Sequence, residues 1–298
     1  MNITELNQQF ASSGQIEFKA GNGGLPEVQI TNEYAQAIVS LYGAQVLSYR
    51  PEGQNEVLWM SETSSFEAGK AIRGGIPVCF PWFGPHVSDN QKPMHGFARL
   101  MIWDVLEASV SATGESKLRL GLVNNDYTHS IWPYAFRAEM AITIGAKLNV
   151  SLTYTNTGNE SFVCSDALHS YLRVSDISNI SLAGLAGCDY YQGFSDLLLK
   201  QEELVLVIRN EENRRYINHT ADCIITDDIW KRKIMIAKKG SKGTVVWNPG
   251  SETASKMSDI HADGYLTFVC VEAANIYKDV VTLAPMESFS ITTIIGLE

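Results

Sequence analysis

An aromatic segment rich in glycine and proline, with an arginine on each side, is the first place where this sequence could bind a ligand. Residues 71–86 read AIRGGIPVCFPWFGPH, with three glycines and three prolines, and cannot form a regular helix or a central strand. The segment also carries the aromatic side chains Phe80, Trp82 and Phe83. Arg73 and Arg99 flank these rings, and a guanidinium group binds phosphate or carboxylate through paired hydrogen bonds. Each arginine could equally hold the loop by bonding backbone carbonyls. We predict that the segment lines a ligand-binding cleft.

Two side chains elsewhere in the sequence could transfer protons. His169 lies in the run SDALHSYL, where an extended backbone puts His169 and Tyr171 on the same face. Glu272 ends the run YLTFVCVE and shares a face with Cys270. Burial disfavours an ionised carboxylate, so a buried Glu272 would be a stronger base than an exposed one. Both residue types serve as general acids and bases, although each could also be structural, as a strand histidine or as the partner of a buried arginine.

Other chemical signals are weaker. His95, which precedes Gly96, could donate to a ligand or close a turn. No HExxH, GxSxG or nucleotide-binding fingerprint occurs in the sequence. Five cysteines are present, an odd number without a CxxC pair, and they favour free thiols in a reducing cytoplasm over a metal site. They are Cys79, Cys164, Cys188, Cys223 and Cys270.

Composition limits the partners that we expect. The net charge of −10 argues against nucleic acid, which favours a basic face. No apolar run is long enough for a membrane helix, and the first residues, MNITEL, lack the pattern of a signal peptide. We therefore expect a cytoplasmic protein. An anionic ligand remains compatible with the acidic chain, because distant surface charges are screened and two nearby arginines can outweigh them.

Apolar residues alternate with a period of two through most of the chain. Leu148, Val150, Leu152 and Tyr154 lie on one face of a predicted strand, and a similar run at 136–144 precedes it across a short hairpin at 145–146. Further strands are predicted near 16–19, 27–31, 35–40, 44–50, 56–60, 100–109, 117–123, 161–169, 177–182, 203–208, 222–226, 233–237, 244–247, 265–273 and 288–295, with one short helix at 252–259. This spacing favours antiparallel sheets stacked face to face, and no linker divides the chain. We predict an all-β protein in which residues 1–298 form a single large antiparallel β-sandwich.

Five sequence blocks, taken together and in order, resemble the D-hexose-6-phosphate mutarotases, or glucose-6-phosphate 1-epimerases. The blocks are RGGIPVCFPWFGP, HGFAR, ALH, VWNPG and FVCVE, and the resemblance runs from about residue 30 to the end. These enzymes are relatives of the aldose 1-epimerases. The resemblance implies their galactose mutarotase-like β-supersandwich and a reaction that interconverts the α and β anomers of a hexose 6-phosphate without a metal or redox cofactor.

The resemblance also implies roles for individual residues. His169 matches the histidine that protonates the ring oxygen, and Glu272 matches the glutamate that takes the proton from the anomeric hydroxyl. Arg73 and Arg99 match arginines associated with the phosphorylated substrate. The family commonly has an aspartate in an Asp-Arg-Val-Tyr-like segment that binds sugar hydroxyls; this chain has Asn213 there, which carries no charge. Because the back reaction exchanges the two roles, we expect pKa values near neutrality for the acid and the base.

Two other functions remain open at this point. An aldose 1-epimerase for neutral sugars needs the same acid and base but not the two arginines. A carbohydrate-binding β-sandwich without turnover would use the aromatic residues and His169 but leave Glu272 idle. We expect a monomer that binds a small sugar phosphate, and the sequence leaves the roles of four further residues open: Trp82, Asp166, Tyr171 and Asp222.

Overall fold

The period-two alternation becomes antiparallel β-structure. The computed structural model describes residues 2–12, 14–193 and 195–298. The first strands in chain order are β1 (Ile16–Ala20), β2 (Pro26–Thr31), β3 (Ala35–Ser40), β4 (Gln45–Pro51), β5 (Val78–Cys79), β6 (Asp104–Val110), β7 (Ser116–Val123), β8 (Phe136–Ile144), β9 (Leu148–Asn156), β10 (Phe162–Cys164) and β11 (Asp166–Leu168). They are followed by β12 (Tyr171–Arg173), β13 (Ile180–Ala183), β14 (Asp189–Gln192), β15 (Leu198–Lys200), β16 (Val205–Leu206), β17 (Glu212–Tyr216), β18 (Cys223–Asp227), β19 (Arg232–Lys239), β20 (Gly243–Asn248), β21 (Phe268–Asn275), β22 (Val281–Leu283) and β23 (Ser288–Leu297).

These strands form two large sheets and two small ones within the described residues. The eight-stranded sheet has the order β15-β14-β17-β20-β21-β11-β5, with β12 also paired to β21. The nine-stranded sheet has the order β16-β13-β18-β19-β23-β9-β8-β7-β6. Strands β1 to β4 form a third sheet, and β10 pairs with β22. Neighbouring strands run antiparallel, which confirms the predicted all-β class.

One buried apolar cluster joins the sheets. It contains Val271 from the eight-stranded sheet, Ile291 and Met140 from the nine-stranded sheet, and Val28 from the four-stranded sheet. Along β8 the buried and less buried residues alternate, as the sequence predicted, and the hairpin to β9 pairs Ile144 with Leu148. The alternation is thus explained by sheets that pack face to face, each burying one side of its strands.

The predicted strand at 161–169 is wrong as a single element. The chain forms β10 and then β11, and the two belong to different sheets. The break falls at Ser165, whose backbone N–H donates to the Pro81 carbonyl at 3.0 Å and whose hydroxyl accepts from the Phe83 N–H at 2.8 Å. Ser165 therefore holds the aromatic loop instead of continuing a strand.

Several other boundaries differ because local hydrogen bonds compete with strand pairing. Short 3₁₀ segments at Ala98–Leu100, Ile177–Asn179 and Gly264–Thr267 overlap the start of the predicted strands at 100–109, 177–182 and 265–273, so the observed strands begin later. Of the predicted strand at 203–208, only Val205–Leu206 is a strand. Residues 56–60 make only isolated bridges, Leu58 with Leu172 and Met60 with Gly74. The predicted helix at 252–259 is the shorter α3 (Gly250–Ala254).

Two helices were not predicted, α1 (Ile3–Phe10) and α2 (Asp126–Ile131), each begun by an asparagine whose side chain accepts a backbone N–H bond. Tyr277–Asp279 and Asn22–Gly24 are further 3₁₀ segments. The strands β5, β12, β14, β15, β17 and β22 were also not predicted. In the described part of the chain, none of the helices has the length and apolar character needed to cross a bilayer.

Candidate active site

Strand β21 places Glu272. All eight of its residues are buried, so the strand is covered on both sides. One set of alternating side chains, Val269, Val271 and Ala273, enters the sandwich core. The other set, which includes Cys270 and Glu272, faces away from that core, and Phe268 and Cys270 there contact Tyr171. Glu272 is 1% exposed, and so it is a buried carboxyl group on the face that it shares with Cys270.

His169 reaches Glu272 because β11 and β12 both pair with β21. His169 lies in the short connection between these two strands, where its backbone N–H donates to the Pro77 carbonyl at 3.0 Å. Its ring stacks on Tyr171 with the centroids 4.8 Å apart and the planes 10° apart, which confirms that the two side chains share a face. The Nε2 atom of His169 lies 3.4 Å from Oε1 of Glu272. The two candidate proton carriers are therefore in direct contact.

Burial determines the protonation of this pair. Desolvation raises the pKa of Glu272 well above its ordinary value, against a smaller lowering effect of Arg99. Desolvation, together with the positive charges of Arg73 and Arg99, lowers the pKa of His169 to about 3. Our expectation of a near-neutral pKa for His169 is therefore wrong, because the ring is enclosed and two positively charged guanidinium groups lie near it. Both shifts favour a protonated Glu272 beside a neutral His169, an arrangement in which Glu272 holds a proton that can be transferred.

The low pKa of His169 gives a direct spectroscopic prediction. Its imidazole should remain uncharged from pH 8 down to pH 5, because protonation would place a cation in a buried site beside Arg73 and Arg99. Nitrogen chemical shifts of labelled histidines, with the His169 signals assigned by their loss in His169→Asn, will report this state. A titration midpoint near 6.5 for that ring would contradict the prediction.

Three of the sequence-predicted residues carry buried polar atoms without a hydrogen-bond partner in the described residues. These atoms are Nδ1 of His169, Oε2 of Glu272 and Nε of Arg99. Buried polar atoms are normally satisfied, and exceptions often mark sites where a ligand completes the bonding. Polar groups of a ligand could complete the hydrogen bonding of these three atoms.

The two arginines approach the pair from the aromatic loop. Arg73 donates from Nη1 to the Tyr171 hydroxyl at 2.8 Å, and its Nε and Nη2 lie 3.0 and 2.9 Å from Oδ2 of Asp259. Arg99 is 9% exposed and donates from Nη2 to the Met94 carbonyl at 2.7 Å. Arg99 thus bonds a backbone carbonyl, which is the structural role that the sequence left open as an alternative to ligand binding. The positive charges of Arg73 and Arg99 nevertheless lower the pKa of His169, so both lie in its neighbourhood.

His95 lies beside His169 at the edge of the site. Their ring centroids are 5.7 Å apart, and Phe83 packs edge-on against His95 at 4.7 Å. The Nδ1 atom of His95 accepts the backbone N–H of Gly84 at 3.1 Å, and its own backbone has a positive φ of 63°. His95 therefore closes a turn and also borders the site, so the two alternatives left open by the sequence are compatible.

Asn213 lies on the same face of the sheet, two strands away from Glu272. In the antiparallel register Asn213 pairs with Trp247, and Trp247 pairs with Cys270. Directly paired residues point to the same side, so Asn213 and Trp247 extend the surface that carries Glu272. The indole of Trp247 meets the His169 ring edge-on at 6.0 Å.

The other residues whose roles the sequence left open lie in different surroundings. Asp166 points to the face of the sheet opposite Glu272, where it accepts hydrogen bonds from the Tyr154 hydroxyl and the Asn275 amide. Asp222 is exposed. The Trp82 indole donates to the Pro93 carbonyl at 2.9 Å. Sequence reasoning missed Asp259, because its contact with Arg73 joins residues 186 positions apart and leaves no local pattern. Within the described residues no cluster of three or more histidine, cysteine or carboxylate side chains is arranged to hold a metal ion.

Comparison with known proteins identifies relatives of this chain. The family model described as aldose 1-epimerase matches residues 26–296. A protein of Escherichia coli K12 named "Putative glucose-6-phosphate 1-epimerase" is 34% identical over 252 residues, which cover 83% of this chain and 82% of that protein.

Solved structures give the same result for the fold. A "putative mutarotase" from Salmonella typhimurium superposes with a TM-score of 0.89 at 28% identity, over 97% of this chain and 95% of that one. A galactose mutarotase-like protein from Clostridium acetobutylicum superposes with a TM-score of 0.76 at 14% identity, over 95% of this chain and 98% of that one. The chain therefore has the galactose mutarotase-like fold predicted from its sequence.

Proposed function

The chain belongs to the aldose 1-epimerase family, and we propose that it interconverts the α and β anomers of a hexose 6-phosphate, with glucose 6-phosphate as the first candidate. The observation that carries the proposal is the buried contact of 3.4 Å between Glu272 and His169, near the positive charges of Arg73 and Arg99, which lower the pKa of His169. Glucose-6-phosphate 1-epimerase is also the activity in the name of the E. coli relative.

Anomer exchange needs one proton removed from O1 and one delivered to the ring oxygen while the C1–O5 bond breaks. Transfer of the shared proton from Glu272 to His169 yields a carboxylate and an imidazolium. The carboxylate then takes the O1 proton, and the imidazolium protonates O5. Rotation of the resulting aldehyde and the reverse transfers give the other anomer with no net change in the protein. Each positioned proton transfer accelerates such a reaction by roughly 10²–10⁴-fold.

The proposed substrate phosphate would bind at the arginine end of the site. Arg73 has five N–H groups, of which Asp259 and Tyr171 take three, so two are left for a ligand. A phosphate held there fixes the far end of the sugar, and its binding energy orients C1 toward Glu272. Asn213 and Trp247 are proposed to contact the sugar hydroxyls and ring, and His95 to contact the substrate from the loop.

One observation favours the alternative of a neutral sugar. The charge of Arg73 is already balanced by Asp259, and Arg99 already bonds a backbone carbonyl. The decisive experiment is NMR exchange spectroscopy between the anomeric protons of glucose 6-phosphate, galactose and glucose, with the pure protein. Acceleration for glucose 6-phosphate above that for the neutral sugars supports the proposal. No acceleration over buffer, or a clear preference for an uncharged sugar, rejects it.

Replacement of the arginines tests the phosphate site. In Arg73→Met with Arg99→Met we expect the KM for glucose 6-phosphate to rise at least about tenfold, because hydrogen bonds to charged groups contribute roughly 1.5–3 kcal/mol each. The KM for a neutral hexose should change much less. Steady-state exchange rates over a range of substrate concentrations will separate KM from kcat. Equal losses for the charged and neutral sugars would assign the arginines to loop structure alone.

We also propose that the chain is a single domain and acts as a monomer, so that one chain carries the complete site. We propose in addition that the protein is cytoplasmic. The support for the cytoplasm is that the five cysteines are free thiols, four of them buried. The acidic net charge of −10 supports a small-molecule substrate over nucleic acid.

A further inference from the structure

The ion pair between Arg73 and Asp259 is built into the site. Asp259 is in a turn after α3, and the next residue, Ile260, is 4% exposed and packs in the apolar cluster that contains Tyr171. The packing of Ile260 holds the Asp259 carboxylate beside the Arg73 guanidinium, where Oδ2 of Asp259 accepts from both Nε and Nη2. The ion pair is only partly accessible, with side-chain exposures of 21% for Arg73 and 27% for Asp259.

The position of Asp259 brings it close to any anion that Arg73 binds. The N–H groups of Arg73 without a partner in the described residues are the second one on Nη1 and the second one on Nη2. An oxygen that accepts from the second N–H of Nη2 would lie about 5 Å from Oδ2 of Asp259, because the two N–H groups of a planar nitrogen diverge. A phosphate group and the Asp259 carboxylate would therefore repel each other across one guanidinium nitrogen.

We propose that Asp259 sets the charge selectivity of this site, by weakening the hold of Arg73 on the phosphate of the substrate while keeping the guanidinium in position. The inference rests on the proposed function, since it assigns Arg73 to the phosphate. Asp259 does not touch the reacting atoms, and it acts through Arg73. Its removal would leave a guanidinium with its full positive charge at the phosphate end, and it would increase the preference for phosphorylated over neutral sugars.

The test compares variants that change the charge with variants that keep it. Asp259→Asn keeps an oxygen that can accept from Arg73 but removes the negative charge. Asp259→Glu keeps the charge. Asp263→Asn removes one negative charge from an exposed residue four positions further along, with no bond from its side chain to Arg73 among the described contacts, and it serves as the matched control.

The first readout is the Kd of inorganic phosphate by calorimetry at low and high salt, which does not depend on turnover. We expect Asp259→Asn to tighten phosphate binding on the order of tenfold at low salt, with a smaller effect at high salt, because an unscreened charge at this distance changes a binding constant by about that factor. Asp259→Glu and Asp263→Asn should stay close to wild type. An unchanged or weaker affinity in Asp259→Asn, or an equal gain in either of the other variants, overturns the inference.

The second readout is the ratio of kcat/KM for glucose 6-phosphate to that for glucose. This ratio should rise in Asp259→Asn through a lower KM for the phosphorylated sugar, and a constant or falling ratio overturns the inference. Failure of the proposed function would look different, since wild-type protein would then not accelerate exchange of glucose 6-phosphate at all. In that case the phosphate affinities still decide whether Asp259 opposes an anion on Arg73, and absence of phosphate binding from both the wild type and Asp259→Asn would reject both proposals.

Discussion

Glu272→Gln should lower kcat for anomer exchange by roughly 10²–10⁴-fold, the range expected when one general acid–base group is removed. Glutamine keeps the shape of the side chain and one acceptor oxygen, but its amide cannot take the O1 proton. Exchange spectroscopy on the anomeric protons of glucose 6-phosphate measures the loss. Thermal unfolding should begin no earlier than in wild type, because burial already disfavours the charged form of Glu272 and a neutral isostere avoids that cost.

A buried glutamate on the other face of the same sheet provides the control. Glu212 is 8% exposed and bonds Arg214 at 2.9 Å, on the side of β17 away from Asn213. Glu212→Gln should keep activity within a few-fold of wild type. Full activity in Glu272→Gln would remove Glu272 from the mechanism, and equal losses in both variants would indicate damage to the sheet instead of lost chemistry.

His169→Asn should produce a loss of similar size, about 10²–10⁴-fold in kcat. Asparagine can hydrogen-bond within the buried site, but it cannot accept the proton from Glu272 and deliver it to the ring oxygen. The same NMR assay measures the rate, and circular dichroism checks that the β-structure is retained. His129→Asn, a change of the same type at an exposed position of α2, is the matched control. A folded His169→Asn protein with wild-type kcat would show that the imidazole is not the proton donor.

Local patterns in the sequence predicted the parts of the site that lie on regular strands. The period-two rule put His169 and Tyr171 on one face, and their rings stack at 4.8 Å. The same rule put Glu272 on the face that it shares with Cys270, and there it is 1% exposed. The period-two rule could not show that His169 and Glu272 belong to one site. That prediction came from the resemblance to the mutarotases.

Patterns failed where polar groups satisfy one another inside the fold. Strand β17, with the sequence ENRRY, has no apolar alternation, and the sequence gives no reason to bury it. In the structure Glu212 bonds Arg214, and Arg214 lies over the Tyr190 ring at 4.7 Å, so the charges are paired within the sheet. The strand that carries Asn213 was missed for this reason. The Arg73–Asp259 pair was missed because a contact between distant segments appears only after folding.

The reaction predicts a base and an acid on opposite sides of the sugar, whereas His169 and Glu272 contact each other directly. At 3.4 Å, the two groups are too close together to admit a pyranose between them. Binding of a sugar is thus expected to exchange this contact for contacts to O1 and O5.

Strand β21, with both faces covered, limits how this enzyme can be engineered or can diverge. Val271 anchors the sandwich from one side of the strand, and its neighbour Glu272 projects from the other. A larger or smaller side chain at Val271 would shift the backbone and with it the carboxyl group, so gains in thermal tolerance from repacking this strand should come with slower turnover. Changes in the nine-stranded sheet, which lies behind the core and carries none of the proposed site residues, offer a route to heat resistance that spares the rate.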